Sequence, residues 1–203
     1  MADDSEGHRH VSAWASEWGT TTEYVRRKDV VVSSKNRQRI RCYLDVDGVI
    51  SPFGQRGSAD FSDWQCTTTL TWSLEMAAKL KALDFKYVWL TTWQHEANEY
   101  VSSTLGLGQM EVIERRSFEA TGWWKWEELL AQHPVGEPFV WIDDEILRGE
   151  GDELDWTQRG QGLRLDETLS VLEAKYLLIS PDGNVGLTRE HLAEMAEFLA
   201  AVR

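Results

Sequence analysis

From residue 40 onward, short apolar runs alternate with stretches of helical periodicity, the pattern of βαβ units that build a parallel sheet. Five runs read as strands: residues 40–46 (I-R-C-Y-L-D-V), 86–90 (K-Y-V-W-L), 110–113 (M-E-V-I), 138–142 (P-F-V-W-I) and 176–179 (Y-L-L-I). Between them the apolar residues recur every three or four positions. Residues 72–83 place Met76, Ala77, Leu80 and Leu83 on one stripe, as an amphipathic helix does. Residues 95–105 and 123–132 read as further helices, the latter stopped before Pro134. Thr188 has the character of an N-cap for a last helix with Leu192, Met195, Leu199 and Val202 inward. Two segments break the pattern. Residues 51–71, rich in Gly, Ser, Thr and Asp, read as an irregular loop or small hairpin. Residues 149–162 read as a mobile Gly/Asp/Glu-rich loop near the carboxyl ends of the strands. The expected fold is α/β with a central parallel sheet of about five strands. The expected organisation is an extension over residues 1–35 and a single domain over residues 36–203.

Length and composition fit that picture. A chain of 203 residues with 42% apolar and 27% charged residues supports one well-buried core in an ordinary globular protein. No apolar run approaches the roughly 20 residues needed to span a bilayer. The polar, acidic start M-A-D-D-S-E-G-H-R-H lacks a signal-peptide core, so a cytoplasmic location without a membrane partner is expected. Cys42 and Cys66 have no metal or disulfide spacing. The net charge of −13 disfavours sequence-independent binding to a polyanion. One segment runs the other way: Arg26, Arg27, Lys28, Lys35, Arg37, Arg39 and Arg41 stand against a single acid, Asp29. It reads either as a solvated arm or as a groove for a phosphorylated or nucleic-acid substrate, with Arg37 and Arg39 aligned. Most of the 11 tryptophans read as core packing; Trp93 and Trp64 are the two considered near a substrate.

The chemistry gathers where the strands end. Asp45 and Asp47 are one residue apart, so a strand carries them to the same side, and Gly48 lets the chain turn away. Ligands of open α/β sheets bind at that carboxyl end. Two carboxylates there repel unless a divalent cation or a shared proton intervenes, which predicts a Mg²⁺ site with a carboxylate free to act as nucleophile. The next strand ends in Thr91-Thr92 and the fourth in Asp143-Asp144, and Lys125 opens the helix before that fourth strand. In a parallel sheet these ends are neighbours. Together they offer carboxylates for a cation, and a hydroxyl and an ammonium for phosphate oxygens.

These motifs (Leu44-Asp45-Val46-Asp47-Gly48, Leu90-Thr91, Lys125, and Ile142-Asp143-Asp144) resemble those of the haloacid dehalogenase-like (HAD) superfamily of phosphohydrolases. More narrowly, Trp89 to Trp93 with Asn98, Phe139 to Glu145, and Gly186-Leu187-Thr188 before a helix are similar to the HAD domains of Swiss-army-knife RNA repair proteins. The resemblance covers residues 40 to about 200. It implies a three-layer Rossmann-like fold and a two-step phosphoryl transfer. Asp45 would attack phosphorus to form an aspartyl-phosphate, and Asp47 would serve as general acid and then base. Mg²⁺ would be held by the Asp45 carboxylate, the Asp47 carbonyl and the Asp143/Asp144 pair, with Thr91 and Lys125 on the transferring oxygens.

The gaps between motifs are too short for a full cap domain, so a capless or minimally capped site is expected. Such a site suits a phosphate on a large partner, such as a nucleic-acid end, with Thr92, Trp93, Arg37 and Arg39 as substrate-binding candidates. The expected function is a Mg²⁺-dependent phosphatase acting on polynucleotide ends. The alternatives are a nucleotide or small-molecule monophosphatase and a non-catalytic phosphate- or RNA-end-binding module. A receiver-like switch is disfavoured because its phosphoacceptor would lie on a later strand. A DxD glycosyltransferase is disfavoured because nothing forms a nucleotide-sugar half.

Overall fold

Five parallel strands carry the molecule. β1 (Arg41–Leu44), β4 (Lys86–Trp89), β5 (Glu111–Val112), β6 (Phe139–Ile142) and β9 (Tyr176–Ile179) form one sheet in the order β5-β4-β1-β6-β9. The computed structural model describes residues 38–116, 124–146 and 169–203, with residues 155–156 and 163–164 described by their backbone alone. Gln38–Arg203 is one compact unit. The expected boundary at residue 35 and the candidate Arg37 lie outside the described residues.

The strand sequences explain why both faces are covered. Along β1, Cys42 and Leu44 belong to one apolar cluster while Tyr43 belongs to the other. Along β6, Val140 and Ile142 face the first cluster, and Phe139 and Trp141 face the second. Near-continuous apolar runs of this kind are what a parallel sheet sandwiched by helices requires. On the first face pack α1 (Leu74–Ala82) through Met76, Ala77 and Leu80, and α4 (Arg189–Val202) through Leu192, Met195 and Leu199. On the second packs α3 (Trp124–Gln132), whose Trp126 stacks on Trp141 at 6.1 Å and 16°. The result is a three-layer α/β sandwich.

The chain departs from the sequence expectation at element ends and in the second helix. Trp72 is not helical. It lies in β3 (Thr71–Trp72), paired antiparallel with β2 (Gln65–Cys66), and Ser73 caps α1 by accepting from Met76 N–H at 3.0 Å. Residues 51–71 therefore end in a real, if short, hairpin. Residues 97–102 form wide π-helical turns that run into α2 (Ser103–Leu105). Asn98 faces inward there, its amide donating to Met110 O at 2.8 Å and accepting from Met110 N at 2.9 Å. A side chain committed to a neighbouring backbone is one way a helix acquires an irregular turn. Of the expected loop over residues 149–162, only 155–156 is described; this is β7 (Asp155–Trp156), paired antiparallel with β8 (Leu163–Arg164).

Sheet order decides where a ligand would sit. The chain goes from β1 to β4 on one side and later crosses to β6 on the other, so the carboxyl end of β1 lies at the topological switch point. No helix among the described residues is long and apolar enough to cross a membrane.

Candidate active site

The parallel ladder continues past the strands and fixes the acids side by side. Asp45 N–H donates to Ile142 O at 3.1 Å, and Asp143 N–H donates to Ile179 O at 3.1 Å. Leu90 N–H donates to Leu44 O at 2.9 Å, which brings Thr91 up beside Asp45. Immediately beyond, the chain folds into one tight turn: the N–H groups of Ile50 and Ser51 converge on Val46 O at 2.9 and 2.8 Å, and Gly48 N–H donates to Ser51 O at 2.8 Å. Gly48 has φ +69°, a region that favours glycine. A Cβ there would also overlap the Asp144 carboxylate. That turn lifts Asp47 above Asp45.

Lys125, near the start of α3, reaches into the same point. Its ammonium lies 2.6 Å from Asp45 Oδ2, 2.8 Å from Asp143 Oδ2 and 3.9 Å from Glu145 Oε2. All three of Asp45, Lys125 and Asp143 are buried. Carboxylate oxygens of Asp45, Asp143 and Asp144 lie within 4.8 Å of one another. Three converging carboxylates against one ammonium leave an excess of negative charge. Asp144 makes no ion pair among the described residues, and its carboxylate fits only because Gly48 and Gly183 lack side chains.

The protonation equilibria carry the strain of this arrangement. Burial, and next the Asp45 charge, push Asp143 well above the ordinary carboxylate range. The same two causes raise Asp144 to about 6. Burial alone would make Lys125 easier to deprotonate, but Asp143 and Asp45 outweigh it and hold the ammonium charged. Hard oxygen donors in such a cluster fit a divalent cation such as Mg²⁺.

Asp47 stands apart from this cluster. Its Oδ2 accepts from the Trp93 indole N–H at 2.8 Å. Burial raises its pKa, the Trp93 bond opposes the rise, and Asp45 adds to it. Trp93 is delivered by a second tight turn, after Thr91. Gln94 adopts φ +49°, held by its side-chain amide donating to Thr91 O at 2.8 Å and accepting from Arg115 N–H at 3.0 Å. Such a backbone persists only where its surroundings over-determine it.

The structure thus brings together Asp45, Asp47, Thr91, Lys125, Asp143, Asp144 and Trp93. It does not bring all the candidates. Thr92 is exposed beside the turn. Arg39 sits at the amino end of β1, the opposite end of the sheet, where its guanidinium pairs with Asp84 at 2.9 Å; as a substrate contact it is set aside. The alternation that aligns it with Arg41 is used for ion pairs at that edge, Arg41 meeting Glu137 at 3.0 Å. Glu145, half-exposed beside Lys125, was not singled out from the sequence, though it directly follows the acidic pair.

An α/β sandwich with buried acids and a lysine at the carboxyl end of its central strand is a Rossmann-like architecture of the HAD type. The chain belongs to the family described as the HAD domain in Swiss Army Knife RNA repair proteins, which it matches over residues 41–192. Membership carries a HAD-type phosphohydrolase class and an association with RNA repair at the level of the family. No curated protein and no solved structure gave a match.

Proposed function

We propose that the protein hydrolyses phosphate monoesters through an aspartyl-phosphate on Asp45, and that its substrates are phosphorylated polynucleotide ends. The observation that carries this reading is the convergence of Asp45, Asp143 and Asp144 on one point, with Lys125 inserted among them.

In the first step an Asp45 carboxylate oxygen attacks phosphorus, the bond to the leaving oxygen breaks, and Asp47 gives that oxygen its proton. Asp47 Oδ2 is occupied by Trp93, which leaves Oδ1 to carry the proton. In the second step Asp47 takes a proton from water as the water oxygen attacks phosphorus, and Asp45 is released with inorganic phosphate. An acid with a raised pKa beside the nucleophile suits both halves of this cycle. Lys125 and Thr91 hold the transferring oxygens. Mg²⁺ held by Asp45, Asp143 and Asp144, with the Asp47 carbonyl, would offset the repulsion between nucleophile and phosphate.

The choice of substrate rests on the family's tie to RNA repair and on the short segment between β1 and β4. A loop, the hairpin and α1 fill it, with no inserted cap domain, so a phosphate at the end of a long strand has access.

Asp45→Asn should abolish p-nitrophenyl phosphate hydrolysis, and Lys125→Met should lower kcat/KM by about 100- to 1,000-fold, as loss of a transition-state donor does. EDTA should stop turnover and Mg²⁺ restore it. Undiminished activity in Asp45→Asn removes the nucleophile assignment, and turnover in EDTA removes the cation.

A further inference from the structure

Next to the acids, the rim of the site carries an aromatic ring that the chemistry above does not use, and an arginine follows it three residues along the chain. Phe53 is 64% exposed. Single exposed apolar residues are ordinary, so its position has to carry the argument. Its backbone N–H donates to Gly183 O at 2.9 Å. A Cβ on Gly183 would come within 2.5 Å of the Phe53 ring and 2.8 Å of Asp144 Oδ2. Ring and carboxylate therefore flank the same glycine, and the ring is fixed at the edge of the acid cluster. From there it lines a cavity of about 330 Å³ together with Asp47, Gln55, Thr67 and Thr69. One wall is thus a group that would protonate the leaving oxygen, and the rest is an aromatic face with hydroxyl and amide groups.

Arg56 follows Phe53 and Gln55 along the same segment. It lines a second cavity of about 420 Å³ with Ser58, Phe61 and Trp64. Arg39, Arg41, Arg116, Arg189 and Arg203 each hold a carboxylate. Arg56 has no ion-pair partner among the described residues. An arginine without a carboxylate partner among the described residues, three positions along the chain from an exposed ring on a protein of net charge −13, is a local exception that matches a polyanion threaded past it.

We infer that Phe53 and Arg56 form the track that selects a polynucleotide end: the base of the terminal nucleotide stacks on Phe53, and Arg56 takes the neighbouring internucleotide phosphate. This rests on the phosphatase reading of the same site and adds the residues that choose its substrate. The Thr67 and Thr69 side of the first cavity is left for the sugar.

The test compares a short oligoadenylate with a terminal phosphate (3′ and 5′ forms), the matching adenosine monophosphates, and β-glycerophosphate, which has no base. Phe53→Ala should lower kcat/KM about tenfold or more for both adenine substrates, the scale of one lost stacking contact, and leave β-glycerophosphate unchanged. Phe53→Trp should restore it. Arg56→Gln should slow the oligoadenylate alone and reduce the slope of its salt dependence by about one contact. Equal losses on all three substrates would make Phe53 a packing residue and overturn the proposal, as would an Arg56→Gln loss shared by the mononucleotides.

Anisotropy of a labelled, dephosphorylated oligoadenylate reads the track without turnover. Binding weakened by both substitutions in a protein that hydrolyses none of the substrates would keep the track and retire the phosphatase. Hydrolysis of β-glycerophosphate with no response of the adenine substrates to either substitution would do the reverse.

Discussion

At the scale of single residues, the Trp93–Asp47 hydrogen bond gives a measurable handle on the proposed acid. The indole donates to the carboxylate form and so favours ionisation, against the burial that raises the Asp47 pKa. Removing the donor should let that pKa rise further. Asp47 would then stay protonated to higher pH, and Trp93→Phe should shift the alkaline limb of the kcat/KM profile upward by about half to one pH unit, the worth of one ordinary hydrogen bond. An unmoved limb would mean that Asp47 is not the group titrating there. The acids, the lysine and Thr91 were legible in the sequence because each closes a strand or opens a helix, and strand ends converge by topology. The partner of Asp47 was not. Trp93 reaches it through a left-handed Gln94, a residue type that carries no sequence signal for that backbone. Phe53 was hidden for a similar reason, because its place depends on Gly183, far along the chain.

At the scale of elements, the end of the hairpin and the start of α1 form one polar joint. Ser73 Oγ accepts from Met76 N–H and itself bonds Asp63, whose other oxygen accepts from Glu75 N–H at 2.9 Å. Two donors of the first helical turn are thereby satisfied, one by the cap and one by a carboxylate that also suits the helix dipole. Ser73→Ala should cost about 1–2 kcal/mol of stability in urea unfolding, as lost caps do, with kcat on p-nitrophenyl phosphate close to unchanged. A change in kcat without a change in stability would instead make the hairpin part of the catalytic machinery. The sequence read this helix as starting at Trp72, because Trp72 continues the apolar stripe. What ends the stripe is Ser51, whose hydroxyl accepts from Thr71 N–H at 2.9 Å and holds that segment in the hairpin. Apolar periodicity marked the five strands of the parallel sheet, but not β7 and β8. Side chains decided what periodicity did not, Ser51 where the hairpin gives way to α1 and Asn98 in the π-helical turn.

At the scale of the whole molecule, the acid cluster should dominate how stability depends on pH. Asp144 is raised from 3.8 to about 6, and Asp143 and Asp47 are raised as well. A carboxyl whose folded pKa exceeds its unfolded value binds more protons when folded, so stability falls as pH rises through that interval. For Asp144 the window runs from 3.8 to about 6, and the raised Asp143 and Asp47 act in the same direction. His133 opposes this. Burial lowers its pKa below 6.5, so the unfolded chain takes the proton first and stability falls as pH drops through that value. One histidine stands against three acids. The metal-free protein should therefore gain thermal stability as pH is lowered from 7 to about 5, the reverse of ordinary acid denaturation. Mg²⁺ competes with protons for the same oxygens and should raise the melting temperature most at the higher pH, flattening the slope. In Asp143→Asn/Asp144→Asn the slope should become small, with the raised Asp47 and the lowered His133 left in opposition, and Mg²⁺ should no longer shift it. A wild-type melting temperature that rises with pH across this range, in EDTA, would show that the cluster does not hold its charges under strain.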